Sequence, residues 1–229
     1  TIGLTAAVPM PEPMPELHDL LDGVELFFGD ANHAVARVYA RLRNAPAGAG
    51  LRLSGTIQGP RCGYARTLPA TVPFRESSAG ESLLAEAIVP DPCFWSIDLP
   101  FLYDVELALT DTKGDTHALT RTFGLRRFSR RDCRFVFDGQ PWVLRAARVR
   151  SAQADSLSKW REERMALVLD ACDDALAQAA SEVGVPLFVQ PNLSGDGLVE
   201  EIARLARWPA VAGIILPGPR GNETAACRA

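Results

Sequence analysis

Asp170, Asp173 and Asp174 fall close together just after an apolar run, and three carboxylates at that spacing could hold a cation. They could equally cap a helix and offset its dipole, which is the cheaper explanation at a strand-to-helix turn. Metal chemistry has little else to build on. Cys62, Cys93, Cys133, Cys172 and Cys227 are scattered and odd in number, no CxxC pair occurs, and there are three histidines. A structural zinc site is therefore not expected. Gly195, Asp196 and Gly197 read as a helix start rather than a phosphate loop, and no Ser/His/Asp set is evident. No cofactor and no metal are expected.

The 229 residues are 47% hydrophobic and 23% charged, enough for one large soluble domain or two of ~100 residues each. The net charge of −4 argues against a nucleic-acid partner, which favours basic patches. Arginines crowd the stretch from Arg121 to Arg150, read as a solvated strand edge rather than an anion site. No apolar run approaches the ~20 residues that span a bilayer, so no membrane partner is expected. No signal peptide is visible, and the compartment stays open.

The elements that must position these groups change character along the chain. Residues 1–21, with the proline-rich PMPEPMPE, read as a linker or arm. Over 22–130 the apolar period is two. Ala36, Val38, Ala40 and Leu42 alternate with polar neighbours, as do Leu51, Leu53 and Ile57. Further strands are expected at Leu83–Ile88, Leu102–Thr110 and Thr116–Phe123, the last two joined by the DTKGD hairpin. Such a run of short strands predicts an immunoglobulin-like β-sandwich. Over 131–229 strands and helices alternate. PWVLRAARV reads as a buried strand, SLSKWREER as a helix, and MALVLDA as a second strand. DDALAQAASEVG is a capped helix, PLFVQP a strand, GDGLVEEIARLARW an amphipathic helix and VAGIILPG a strand. This predicts a parallel sheet with crossover helices.

Three ordered motifs lie at the join. PDPCFWSIDLPFLYDVELAL (90–109), through Trp95, Ser96, Pro100, Leu102 and Tyr103, resembles a segment of the family 2 glycoside hydrolases. FGLRRF (123–128) resembles that family's F-G-x-R. FVFDGQPWVLRA (135–146) resembles its F-x-L-N-G-K-P-x-x-L-R-G, with Asp138 and Ala146 replacing Asn and Gly. The family contains β-galactosidases, β-mannosidases and β-glucuronidases. The resemblance implies a sandwich leading into a (β/α)8 barrel that carries two catalytic glutamates. Between Phe135 and Ala229 there is space for about four β/α units, a truncated barrel.

Retaining glycoside hydrolysis needs two carboxyl groups ~5–5.5 Å apart. The resemblance implies one at the end of the fourth barrel strand and one at the seventh. Gly221, Asn222 and Glu223 resemble the G-N-E that ends the fourth, though about three residues late, so Glu223 is the acid/base candidate or else a solvated tail residue; the nucleophile has none. Arg145 matches an arginine near the family's active-site floor, or else pairs with a buried carboxylate. Other substrate-facing slots have changed: Arg148, Arg150 and Ser151 stand where Asn, His and Glu are usual, and the next two strands end in LDACDD and VQPN. Trp95 and Tyr103 read as packing between sandwich and barrel, and Trp160 and Trp208 as amphipathic core or interface.

These losses predict a non-catalytic protein. The open edges and apolar inner face of a partial barrel predict pairing into a homo-oligomer, or docking on a partner chain, with carbohydrate binding or scaffolding as the role. The alternative is a fragment or divergent member of a retaining glycosidase acting on β-galactoside, β-mannoside or β-glucuronide bonds. A third reading makes the C-terminal part an independent open sheet with helices on both faces.

Overall fold

The computed structural model describes residues 16–216, apart from 44, 46–49, 78–81 and 151. The expected arm ends in order. Helix α1 (Leu17–Asp22) buries Leu17 and Leu21, one helical turn apart, in the first core. Residues 1–15 lie outside the described part.

Seven antiparallel strands follow: β1 (Glu25–Ala31), β2 (Val35–Leu42), β3 (Arg52–Arg61), β4 (Ala70–Glu76), β5 (Leu83–Pro90), β6 (Leu102–Thr110) and β7 (Thr116–Phe123). They form one sheet in the order β1-β2-β5-β4-β3-β6-β7. Strand β4 lets the sheet curl. It pairs with β3 over Ala70–Phe74, then with β5 at Arg75 and Glu76. Inward residues from both halves meet in one core: Val38 and Ala40 of β2 and Ala87 of β5 with Leu53 and Ile57 of β3 and Val105 and Leu107 of β6. The alternation in β2 and β6 is that expected from their sequence. Strand β4 has no such signature, because only Phe74 of its seven residues is buried.

A small antiparallel sheet comes next, of β8 (Phe128–Arg131), β9 (Arg134–Phe137) and β10 (Gln140–Trp142). Asp138 (φ 49°) and Gly139 (φ 80°) form its second turn, and two consecutive left-handed residues are what a two-residue hairpin requires. The single buried strand read over 141–149 is instead two short strands. β10 completes the hairpin, Val143 is 82% exposed, and β11 (Ala146–Arg148) begins a different, parallel sheet.

That sheet runs β11-β12-β13-β14, with β12 at Ala166–Leu169, β13 at Leu187–Val189 and β14 at Val211–Ile214. Helices α2 (Leu157–Glu162), α3 (Asp174–Val183) and α4 (Asp196–Ala206) lie between successive strands. Leu157, Ala177, Ala180 and Leu205 from the helices share a core with Leu167, Leu169, Leu187 and Val189. The opposite face of the sheet, with Ala166, Phe188 and Ala212, carries Phe128, Trp142 and Leu144 from the preceding segment. The three helices of this part, α2, α3 and α4, therefore cover one face, so among the described residues the sheet does not carry helices on both. No described helix is long and apolar enough to cross a membrane.

Candidate functional site

Parallel strands place the residues that follow them along one rim, where ligands of β/α folds usually bind. Here the ladder continues past the strands: Val149 N donates to Val168 O, Gln190 N to Leu169 O and Ile215 N to Val189 O. Arg148, Asp170, Gln190 and Ile215 thus stand side by side at the C-terminal ends of the four strands. Arg148 forms an ion pair with Asp170 and donates a 3.1 Å hydrogen bond to Gln190 Oε1. The Arg148 and Asp170 side chains are 59% and 56% exposed, so the rim is open to water. It offers one guanidinium, one engaged carboxylate and one amide. Among the described residues no group of acids, histidines and cysteines could hold a metal.

The three aspartates of this region divide their work. Asp170 belongs to the rim. Asp173 is the N-cap of α3, its Oδ1 accepting from Leu176 N at 2.8 Å. Asp174 accepts from Trp208 Nε1 at 2.9 Å and from Arg204 at 2.5 Å. Burial alone would raise the Asp174 pKa, but these hydrogen bonds outweigh it and hold the carboxyl below the usual range. Arg204 also binds Glu201 and the Cys172 carbonyl, making it the node that fastens α4 to α3. Nothing in the helical periodicity distinguished Arg204 from its exposed neighbours.

Arg145 sits at the start of β11, at the edge of the sheet opposite the rim. Its backbone carbonyl accepts from Ala166 N, while its side chain is exposed and makes no ion pair among the described residues. The pairing with a buried carboxylate is thus not seen among the described residues, and strand direction carries Arg148, not Arg145, to the C-terminal edge. Glu223 and Ser151 lie outside the described residues.

The motif residues cluster elsewhere, at the seam between the curled sheet and the β/α part. Trp95 is fully buried in the second core, and its Nε1 donates to Ser181 O of α3 at 2.8 Å. Gly124 packs on Pro209 so closely that a Cβ would stand 2.7 Å from the ring. Arg126 donates to the Pro209 carbonyl at 2.7 Å and to that of Val211; burial pulls its pKa down to about 10. Tyr103 is a correction. It belongs to the first core rather than the seam, with its hydroxyl accepting from Cys93 N and donating to Cys93 O. Trp160 and Trp208 pack half-buried on the second core, as expected.

Clefts open away from the rim. One of 520 Å³ lies between α1, β1 and α4, and one of 340 Å³ between β7, α3 and the residues after α4.

No family model matches the sequence, and no curated protein matches it. Solved structures do. The chain is similar to Bacteroides uniformis beta-glucuronidase 2 at 23% identity and a TM-score of 0.59, over 85% of this chain and 27% of that one. It is similar to Parabacteroides merdae beta-glucuronidase at 18% identity and a TM-score of 0.57, over 86% and 29%. For a glycosyl hydrolase family 2 member from Bacteroides cellulosilyticus the values are 16% and 0.59, over 86% and 30%. The chain therefore spans less than a third of the length of these structures. The resemblance to family 2 glycoside hydrolases drawn from the motifs is present in the fold.

Proposed function

We propose that this chain is a non-catalytic protein of the family 2 glycoside hydrolase type, an immunoglobulin-like sandwich carrying four β/α units of a barrel. The sandwich is supported by strand order, since β1-β2-β5-β4 and β3-β6-β7 reproduce the four-and-three arrangement of constant-type immunoglobulin domains. The barrel is supported by four parallel strands in sequential order with helices on a single face.

The observation that carries the non-catalytic reading is the Arg148–Asp170–Gln190 ladder. Retaining hydrolysis needs two carboxyl groups ~5–5.5 Å apart. At this rim the carboxylate is held by a guanidinium whose other side is held by an amide. The groups left to a ligand are guanidinium and amide donors, suited to sugar hydroxyls or a carboxylate. The role is carbohydrate binding or scaffolding, with a second copy or another chain completing the barrel along the outer edges of β11 and β14.

A second reading is favoured by the chain's spanning less than a third of its structural neighbours. It makes the chain a fragment of a retaining glycosidase acting on β-glucuronides, β-galactosides or β-mannosides, with Glu223 as acid/base. Nitrophenyl β-glycosides of these three classes, incubated with the purified chain, test whether this chain is catalytic by itself. No turnover is expected. Turnover abolished by Glu223→Gln would overturn the non-catalytic reading. Light scattering tests association: twice the chain mass fits pairing, and a monomer at high concentration removes it.

A further inference from the structure

The two seam clefts share Arg121 and Arg207. The smaller, of 340 Å³, is lined by Arg121 and Thr122 of β7, Asp174 and Gln178 of α3, and Arg207 and Trp208. Its size falls within the ~300–1,000 Å³ of small-molecule sites. Each of these side chains carries a hydrogen-bonding group, and Trp208 adds an aromatic wall.

Charge in this cleft is not balanced. Arg121 gives its donors to the backbone carbonyls of Val24 and Asp22 and meets no carboxylate at ion-pair distance among the described residues. Arg207 donates from Nε to the Arg204 carbonyl at 3.2 Å, and the one carboxylate it reaches among the described residues is Asp174, at 4.0 Å. Asp174 is already shared, accepting from Arg204 and from Trp208 Nε1. Two guanidiniums therefore face one carboxylate, whose Oδ1 already takes both of those hydrogen bonds and whose Oδ2 faces Arg207. Burial, and after it the neighbouring charge of Arg207, pulls the Arg121 pKa down, and the Asp22 carboxylate offsets this only in part. A bound anion would relieve both costs. Thr122 and Gln178 stand beside the arginines with hydroxyl and amide groups, and Trp208 offers a ring.

We infer that the seam cleft between β7, α3 and the end of α4 binds a small hydroxylated organic anion. Its carboxylate sits between Arg121 and Arg207, and its hydroxyls lie against Thr122, Gln178 and the Trp208 wall. This site is separate from the strand-end rim and stands whether or not the rim binds sugar.

Calorimetric titration of the full chain with gluconate, acetate and sorbitol tests it. Gluconate carries both halves of the proposed ligand, acetate only the charge, and sorbitol only the hydroxyls. Gluconate is expected to bind in the millimolar range, with acetate and sorbitol weaker by about tenfold or more. Arg207→Gln should weaken gluconate by about tenfold, and Gln178→Ala by about threefold. In an Arg148→Gln background, which removes any binding at the rim, the loss caused by Arg207→Gln should persist. Gluconate that fails to bind overturns the inference. So does acetate binding as tightly, or affinity that survives Arg207→Gln and falls with Arg148→Gln, which would put the ligand at the rim.

Discussion

Trp95 Nε1 donates to the Ser181 carbonyl at 2.8 Å, between residues 86 positions apart, in a site with no water access. The indole leaves the loop between β5 and β6 and ends against the last turn of α3. That helix ends one residue past Val183 at Gly184, whose φ of 90° is the left-handed stop and whose missing Cβ admits the Ile97 carbonyl. One side chain thus joins the all-β part to the first long helix of the β/α part. The Arg126 contacts to Pro209 and Val211 form the second such join.

Trp95→Ala should destabilise the protein by about 3–5 kcal/mol, the usual cost of emptying a buried aromatic site. Trp95→Phe retains ring packing but strands the Ser181 carbonyl, at about 1–3 kcal/mol. Urea unfolding followed by tryptophan fluorescence and circular dichroism measures both. Equal stability of Trp95→Phe and wild type would mean that the hydrogen bond is idle.

Arg126 tests whether the two parts unfold together. Replacing it with Met keeps the aliphatic bulk and leaves two buried carbonyls without a donor, costing about 2–4 kcal/mol. Because those carbonyls lie in the β/α part, the single unfolding transition should split into two, the β/α part melting first. An unsplit, unshifted transition would show that the seam is held by packing alone.

Acid should loosen α4. The Glu201 carboxyl is held below its usual range chiefly by hydrogen bonding to Arg204, and Asp174 is held low by Trp208 and Arg204 against the effect of burial. Both folded-state values lie below the unfolded ones. Their contribution is therefore complete above the ordinary carboxylate range and is lost as pH falls through the depressed values, below about pH 4. Hydrogen exchange in α4 should rise over that window in wild type and less steeply in Glu201→Gln. Identical acid profiles would remove Arg204 from its assigned place.

Cysteine labelling checks burial on the two sides of the chain. Burial pushes the Cys172 thiol up to about 11, so it carries almost no thiolate at neutral pH, while Cys133 is exposed. Ellman's reagent should modify Cys133 rapidly and Cys172 only on unfolding. Fast loss of the Cys172 thiol from the native protein would contradict its position beneath α3 and α4.

Where apolar alternation or a cap marks them, strand and helix positions were legible in the chain because they rest on local rules. Alternation in Ala36–Leu42 and Leu102–Thr110 gives β2 and β6, and Asp173 with Gly184 brackets α3 to within a residue. The motif text around Trp95, Gly124 and Asp138 pointed to the fold that the structural neighbours share. What Trp95 and Arg126 touch was not legible, since their partners lie more than eighty positions away and no local period encodes them. Arg145 and Arg148 illustrate the same limit at closer range. Both are arginines in one apolar run, and only the direction of β11 beside β12 sends Arg148 to Asp170 and Gln190 and leaves Arg145 at the opposite edge. Sequence periodicity decides which residues form a strand and which face is wet. Which end of that strand meets a partner is decided by the pairing of elements distant in the chain, and that belongs to the tertiary structure.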